Sequence, residues 1–267
     1  MNAPAHNITA ALNAGPIIQY EQPLSERMRT FLRLEFLAEQ ARHHADGESP
    51  WSSRAAIGSL IEILTIVTRS DVRGEVLKEL ERQGSRLSRY ASTPGVDRER
   101  LESILEQVAE LRTHLNEMGA NYTLPLKDSE FLSAIRHRSA IPGGTCEFDL
   151  PDFKHWLNLP HGIRHADFEG WFRILRPLCE AVEALLWMTR ESGPGGAVTA
   201  PRGMFQHSMD RSDAAQLVRI GLPDGSELFP EVSGGQHRFT IRFLSWAGIE
   251  VRPVQVDRDV EFLLACC

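Results

Sequence analysis

Cysteine is scarce in this chain. Four occur in 267 residues, at Cys146, Cys179, Cys266 and Cys267. None forms a Cys-x-x-Cys pair or a spacing that suits zinc, and four are too few for a disulfide scaffold, so a reducing, cytoplasmic setting is expected. No uninterrupted apolar stretch approaches the roughly 20 residues of a membrane span, which excludes direct membrane insertion by a helix. Met1 to Gly15 lacks a basic start followed by an apolar run, so no secretory signal is expected. An excess of basic residues is also missing. Lys and Arg number 29 against 36 Asp and Glu, a net charge of −7, which argues against a nucleic-acid partner. The motif search returns little: no GxxxxGK[ST] phosphate loop, no GxGxxG after a strand, no HExxH and no GxSxG elbow. What is present is an ordinary globular composition, 42% hydrophobic and 24% charged, which excludes a disordered chain.

The pattern reads as an α+β protein, mainly α, with helices first and a small antiparallel β domain at the C-terminal end. Residues 1–19 are small and polar and read as a flexible leader. A helical domain is expected over 20–139, a strand-like segment joining the β domain over 140–151, more helix over 152–192, and a β domain over 197–267. In the first helix Leu24, Met28, Phe31, Leu32 and Phe36 share one broad face, with Leu34 and Leu37 outside it. Glu35 falls inside that apolar face, so a structural salt bridge is expected for it. A helix over about Asp71 to Ala91 carries Leu77, Leu80, Leu87 and Ala91 on a seam; Thr93-Pro94-Gly95 breaks it, and Asp97 offers the next N-cap. The helix that follows places Leu101, Ile104, Val108, Leu111, Leu115 and Met118 at spacings of three and four. That seam fits an antiparallel pair within one molecule or a helix-mediated dimer. Further helix is expected at Lys127–Ser139, Phe153–Leu157 and Phe168–Arg190. Beyond Gly193-Pro194-Gly195-Gly196 come strands at Gln216–Leu222, Arg238–Leu244 and Val260–Ala265, the central one alternating Phe239, Ile241 and Phe243 with Arg238, Thr240 and Arg242.

Few residues carry chemistry. His161 and His165 have a spacing that could share a helix face, but no third ligand is indicated, and no metal or other cofactor is expected. Trp156, Trp171 and Trp187 read as core fillers, with a peptide groove as the alternative for Trp156. The basic residues are more informative. Arg29 and Arg33 sit one turn apart on the polar strip of the first helix, Arg136-His137-Arg138 closes another helix, and Lys154-His155-Trp156 follows Asp149-Leu150-Pro151. Cations near a helix C-terminus are favoured by its dipole. The alternative is a local basic pocket on an acidic protein, able to select an acidic peptide.

Several ordered motifs resemble the ZapD family of bacterial cell-division proteins. They begin with Tyr20-Glu21-Gln22-Pro23-Leu24-Ser25-Glu26-Arg27-Met28-Arg29-Thr30-Phe31-Leu32-Arg33-Leu34-Glu35-Phe36-Leu37 and continue through Arg73-Gly74-Glu75-Val76 and Pro94-Gly95-Val96-Asp97. Ile141-Pro142-Gly143-Gly144, Cys146-Glu147-Phe148-Asp149-Leu150-Pro151, Leu228-Phe229-Pro230, Arg238-Phe239 and Leu264-Ala265-Cys266-Cys267 follow. The resemblance covers about residues 20–267. It implies a non-enzymatic, dimeric partner of FtsZ, the tubulin-like GTPase of the cytokinetic ring, that binds the FtsZ C-terminal tail and cross-links protofilaments at mid-cell. It also implies a basic tail-binding surface. On the positions that match, this surface would hold Arg29, Arg33, Arg136 and Arg138, with Lys154 where the resemblance implies a histidine. Glu130 stands where it implies an arginine, a reversal of charge. A dimeric adaptor for another acidic peptide, or an enzyme with an unrecognised site, remain the alternatives to this reading.

Overall fold

The computed structural model describes residues 15–193, 195–209 and 215–267. Among these are eight α-helices and eight strands, an α+β architecture with helix dominant and an antiparallel C-terminal region of strands. The chain divides into two compact units. One is Thr30–Leu186; the other joins the described parts of Met1–Arg29 and Trp187–Cys267.

The helical unit is built from α1 (Glu26–Ala45), α2 (Pro50–Arg69), α3 (Val72–Ser88), α4 (Arg98–Glu117), the short α5 (Leu124–Lys127), α6 (Glu130–Ser139), α7 (Pro151–Leu157) and α8 (His161–Ser192). These elements follow local rules. Ser49 caps α2 by accepting from Ser52 N at 3.0 Å, with Pro50 in the first turn. Asp71 caps α3, and Asp97 caps α4 as the sequence pattern requires. The α3–α4 pair is antiparallel: Arg73 at the start of α3 donates to the Leu115 carbonyl near the end of α4 at 2.7 Å. Leu101, Val108, Leu111 and Leu115 are buried along α4, so this seam is satisfied within one molecule. On α3 the buried face holds Val72, Val76, Glu79, Leu80 and Gln83 rather than the full Leu77–Leu87 seam. Glu79 is tolerated there because Arg82 and Gln83 both donate to its carboxylate.

Two expectations for this unit are corrected. On α1 the buried stripe is Met28, Phe31, Leu34, Leu37, Ala38, Ala41 and Ala45, whereas Phe36 is 61% exposed. The reason is that alanines carry much of the packing, and their small side chains bring the buried line round to the Leu34 side. Glu35 is consequently half-buried, and it is not left without a partner. Helix α2, which buries Ile57, Leu60, Ile63 and Leu64, lies within the helical domain expected over 20–139. Residues 140–150 form successive turns, not a strand, because the Pro-Gly-Gly run is used to reverse the chain.

The other unit is a two-sheet β structure. The first sheet has the order β1-β4-β8-β2, with β1 at Ile17–Pro23, β2 at Gly196–Ala200, β4 at Leu217–Pro223 and β8 at Val260–Cys266. The second has the order β3-β6-β5, with β3 at Met204–Ser208, β5 at Leu228–Gly235 and β6 at Arg238–Ser245; the short β7 (Val254–Gln255) also pairs with β6. The sheets meet through Phe243 of β6 and Phe262 of β8, with ring centroids 4.8 Å apart. The alternation expected on β6 is present: Phe239, Ile241 and Phe243 are buried, Arg238 and Arg242 exposed. At the β5–β6 hairpin Gly234 has φ +136°, and a Cβ there would lie 2.4 Å from the Arg238 carbonyl, so only glycine fits. Strand β1 corrects the domain boundary read from sequence. Residues 17–23 pair with β4 in the sheet unit, and Glu21 holds Arg190 through two hydrogen bonds of 2.8 and 2.7 Å. Residues 1–14 of the expected leader lie outside the described residues.

Candidate functional site

The turn from α6 to α7 gathers the best-defined part of the candidate surface. Ser129 caps α6 through Leu132 N, Leu132 and Ile135 turn inward, and the last turn carries Arg136, His137 and Arg138. Cations at that end face the partial negative charge of the helix carbonyls. The chain then folds back on itself. Gly144 packs on the helix end so closely that a Cβ would lie 2.4 Å from the Arg138 carbonyl, which explains the second glycine of Ile141-Pro142-Gly143-Gly144. Gly143, at φ +72°, supplies the left-handed residue of the turn. Arg54 of α2 fastens the loop from the side, donating to the Thr145 carbonyl at 2.7 Å and to its hydroxyl at 3.0 Å. The same guanidinium lies 4.8 Å from the Phe153 ring and 5.6 Å from that of Trp51. Leu150 is buried and leads into α7, which buries Phe153, Trp156 and Leu157 and leaves Lys154 partly exposed.

Two of the expected cations converge on this loop. Arg138 Nη1 lies 3.2 Å from Asp149 Oδ1, and Lys154 Nζ pairs with Glu147 Oε1. Cys146 Sγ donates to Asp149 Oδ2 at 3.4 Å. Between the two acids stands Phe148, 87% exposed, and Ile141 on the same loop is also exposed. Arg136 shares the α6 turn with Arg138 and is half-buried. Arg33 projects from α1 and is exposed; among the described residues neither it nor Arg136 engages a carboxylate. Arg29 falls in the sheet unit and is held by Glu26 at 3.3 Å. Arg138 and Lys154 are thus brought to one loop with Arg136 beside them, while Arg33 and Arg29 occupy a separate helix. Glu130 lies in the first turn of α6, where a carboxylate is favoured by the helix dipole. Eight residues separate it from Arg138, about 12 Å along the helix axis.

Sequence reasoning missed Trp51, Arg54 and the exposure of Phe148. The first two lie on α2, and their i,i+3 spacing becomes a signal only once that helix is recognised. The tryptophans divide. Trp156 is buried, its indole donating to Asp167 at 2.9 Å, and it packs with Phe131, Phe153 and Trp171. Trp187, expected in the core, is 39% exposed. His161 and His165 open α8 with ring centroids 5.7 Å apart, one facing the Ala45 carbonyl and the other Asp46. No three metal-ligating side chains converge among the described residues. All four cysteines are free thiols; burial pushes the Cys179 thiol up to about 12, with Glu183 adding to the shift and Arg42 opposing it. Among the described residues no helix is long and apolar enough to cross a membrane.

Arg136, Arg138 and Lys154 thus stand with Glu147 and Asp149 around one loop of an acidic protein. Residues 32–242 match the family model described as "ZapD: Cell division protein". The chain is 38% identical over 250 residues to the cell division protein ZapD of Methylococcus capsulatus, covering 94% of this chain and 98% of the relative. It is 36% identical over 251 residues to that of Chromobacterium violaceum, covering 94% and 99%. It is 34% identical over 256 residues to that of Aromatoleum aromaticum, covering 96% and 99%. At these levels of identity over nearly the full length of each relative, the chain belongs to the ZapD family of cell division proteins.

Proposed function

We propose that this protein is a non-enzymatic division scaffold of the cytoplasm that binds the C-terminal tail of FtsZ at mid-cell and, as a homodimer, cross-links FtsZ protofilaments. The observation that carries the reading is family membership along nearly the whole chain, so that neither unit stands outside the comparison. The site assignment rests on the distribution of cations. On a protein of net charge −7, Arg136, Arg138 and Lys154 gather at one loop, and Arg33 presents a further exposed guanidinium on α1. Arg29 completes the proposed set on the preceding turn of that helix. A tail with acidic and apolar residues would set its carboxylates against these groups, where the planar guanidinium fork can hold a carboxylate through two hydrogen bonds.

Exposed charge pairs contribute about 0–1 kcal/mol each, so binding at one site is modest and weakens with salt. Pairing of two molecules then raises avidity roughly 100-fold to 10,000-fold against a filament bearing many tails, without any new contact. The test is co-sedimentation with FtsZ assembled in GTP. The protein is expected in the pellet with full-length filaments and in the supernatant with filaments that lack the tail. Equal pelleting with both refutes the tail as the binding element.

A further inference from the structure

Arg138 and Lys154, the two loop cations that have ion-pair partners, take them from a single three-residue stretch. Asp149 answers Arg138 at 3.2 Å and Glu147 answers Lys154, while the residue between them, Phe148, is 87% exposed. We propose that Glu147-Phe148-Asp149 is a built-in occupant of the Arg138/Lys154 site, and that the site therefore takes a partner segment of the same chemistry: two carboxylates two residues apart with a large apolar side chain between them. This rests on the tail-binding reading above and specifies what part of a tail the loop accepts.

Three features make the stretch an exchangeable occupant rather than a structural brace. First, the loop is fixed elsewhere. Gly144 lies against the Arg138 carbonyl, Thr145 is held by Arg54, and Leu150 is buried, so these anchors persist when the two carboxylates turn away, at the cost of the Cys146–Asp149 contact. Second, both ion pairs reach water. Arg138 and Lys154 are 46% and 44% exposed, Glu147 is 65% exposed and Asp149 23%, so the Lys154–Glu147 pair is weak and readily traded for another carboxylate, and the Arg138–Asp149 pair is the more sheltered of the two. Third, a phenylalanine left almost wholly in water gains nothing for the fold. With exposed Ile141 on the same loop it offers an apolar contact beside the two cations. A partner segment that displaces the two acids inherits both cations in the spacing that the chain's own acids already satisfy.

The experiment measures binding of a labelled FtsZ tail peptide to the full-length protein by fluorescence anisotropy, in four forms. Glu147→Gln with Asp149→Asn frees the cations and is expected to tighten binding roughly threefold to tenfold. Arg138→Gln with Lys154→Gln is expected to weaken it by a similar factor or more. Glu102→Gln with Glu106→Gln, on the exposed side of α4, changes net charge as much as the first pair and is expected to leave binding unchanged. An unlabelled peptide of residues 145–151, with serine for Cys146, should compete for the freed site, and the same peptide with serine at Phe148 should compete less well. Circular dichroism and thermal unfolding check that each form is folded. Equal tightening by both acid pairs would assign the effect to overall charge and overturn the inference. So would unchanged affinity on freeing the cations when Arg138→Gln with Lys154→Gln still loses binding, although the tail site itself would then stand. If neither the natural protein nor any variant binds the tail, the functional reading fails and this inference with it.

Discussion

Arg164 is a charged side chain only 4% exposed, and it donates to neutral acceptors. Its Nε donates to the Leu159 carbonyl at 3.0 Å, one terminal nitrogen to Ser53 Oγ at 2.6 Å and the Ser49 carbonyl at 3.3 Å, the other to the Glu48 carbonyl at 2.6 Å. These acceptors belong to the α1–α2 connection, the first turn of α2 and the link between α7 and α8, so one guanidinium ties three neighbouring segments. Arg164→Ala strands several acceptors away from water and is expected to cost about 2–4 kcal/mol, read as a lower urea midpoint. Arg164→Lys keeps the charge without the fork and is expected to recover only part of the loss. None of this could be read from the sequence, because a carbonyl acceptor leaves no signature in residue type. The sequence pattern instead makes His161 and His165 conspicuous by their spacing. The arginines before Ile141-Pro142-Gly143-Gly144 were legible for the opposite reason, since charge and helix end coincide in the primary pattern.

Elements were legible where one period dominated. Strand β6 alternates from Arg238 to Phe243, and α4 keeps its apolar residues at spacings of three and four; both are placed as the pattern requires. Where small residues do the packing, the pattern misleads. Ala38, Ala41 and Ala45 define the buried side of α1, and an eye tuned to Leu and Phe chooses the side of Phe36 instead. This difference is measurable. Leu115→Ala, at a fully buried seam position, is expected to destabilise by about 2–5 kcal/mol. Phe36→Ser, at a side chain left mostly in water, is expected to shift stability by no more than about 0.5 kcal/mol. Chemical denaturation of the two variants in parallel checks both. The 140–150 loop resisted reading because its alternating polar and apolar residues imitate a strand, while its fixed points are a close glycine–carbonyl contact and a distant arginine.

At the scale of the whole molecule, the proposed bridging of filaments would require two tail sites on one particle, so on that reading loss of a site should show more strongly in bundling than in single-tail binding. Arg33→Glu is expected to leave the fold intact, because Arg33 is exposed, and to reduce FtsZ bundling measured by light scattering by severalfold or more. Unchanged bundling would remove Arg33 from the surface. Domain organisation was the least legible property, because β1 is separated from its partner β4 by the entire helical unit. That arrangement bears on how the protein is made. The interior place in the first sheet, between β4 and β2, belongs to β8, the last strand in chain order. A nascent chain emerging from the ribosome can therefore fold its helices early but must wait for Cys266 before β2 and β4 acquire their shared neighbour. Loss of residues 260–266 would remove an interior strand of the first sheet rather than trim an edge.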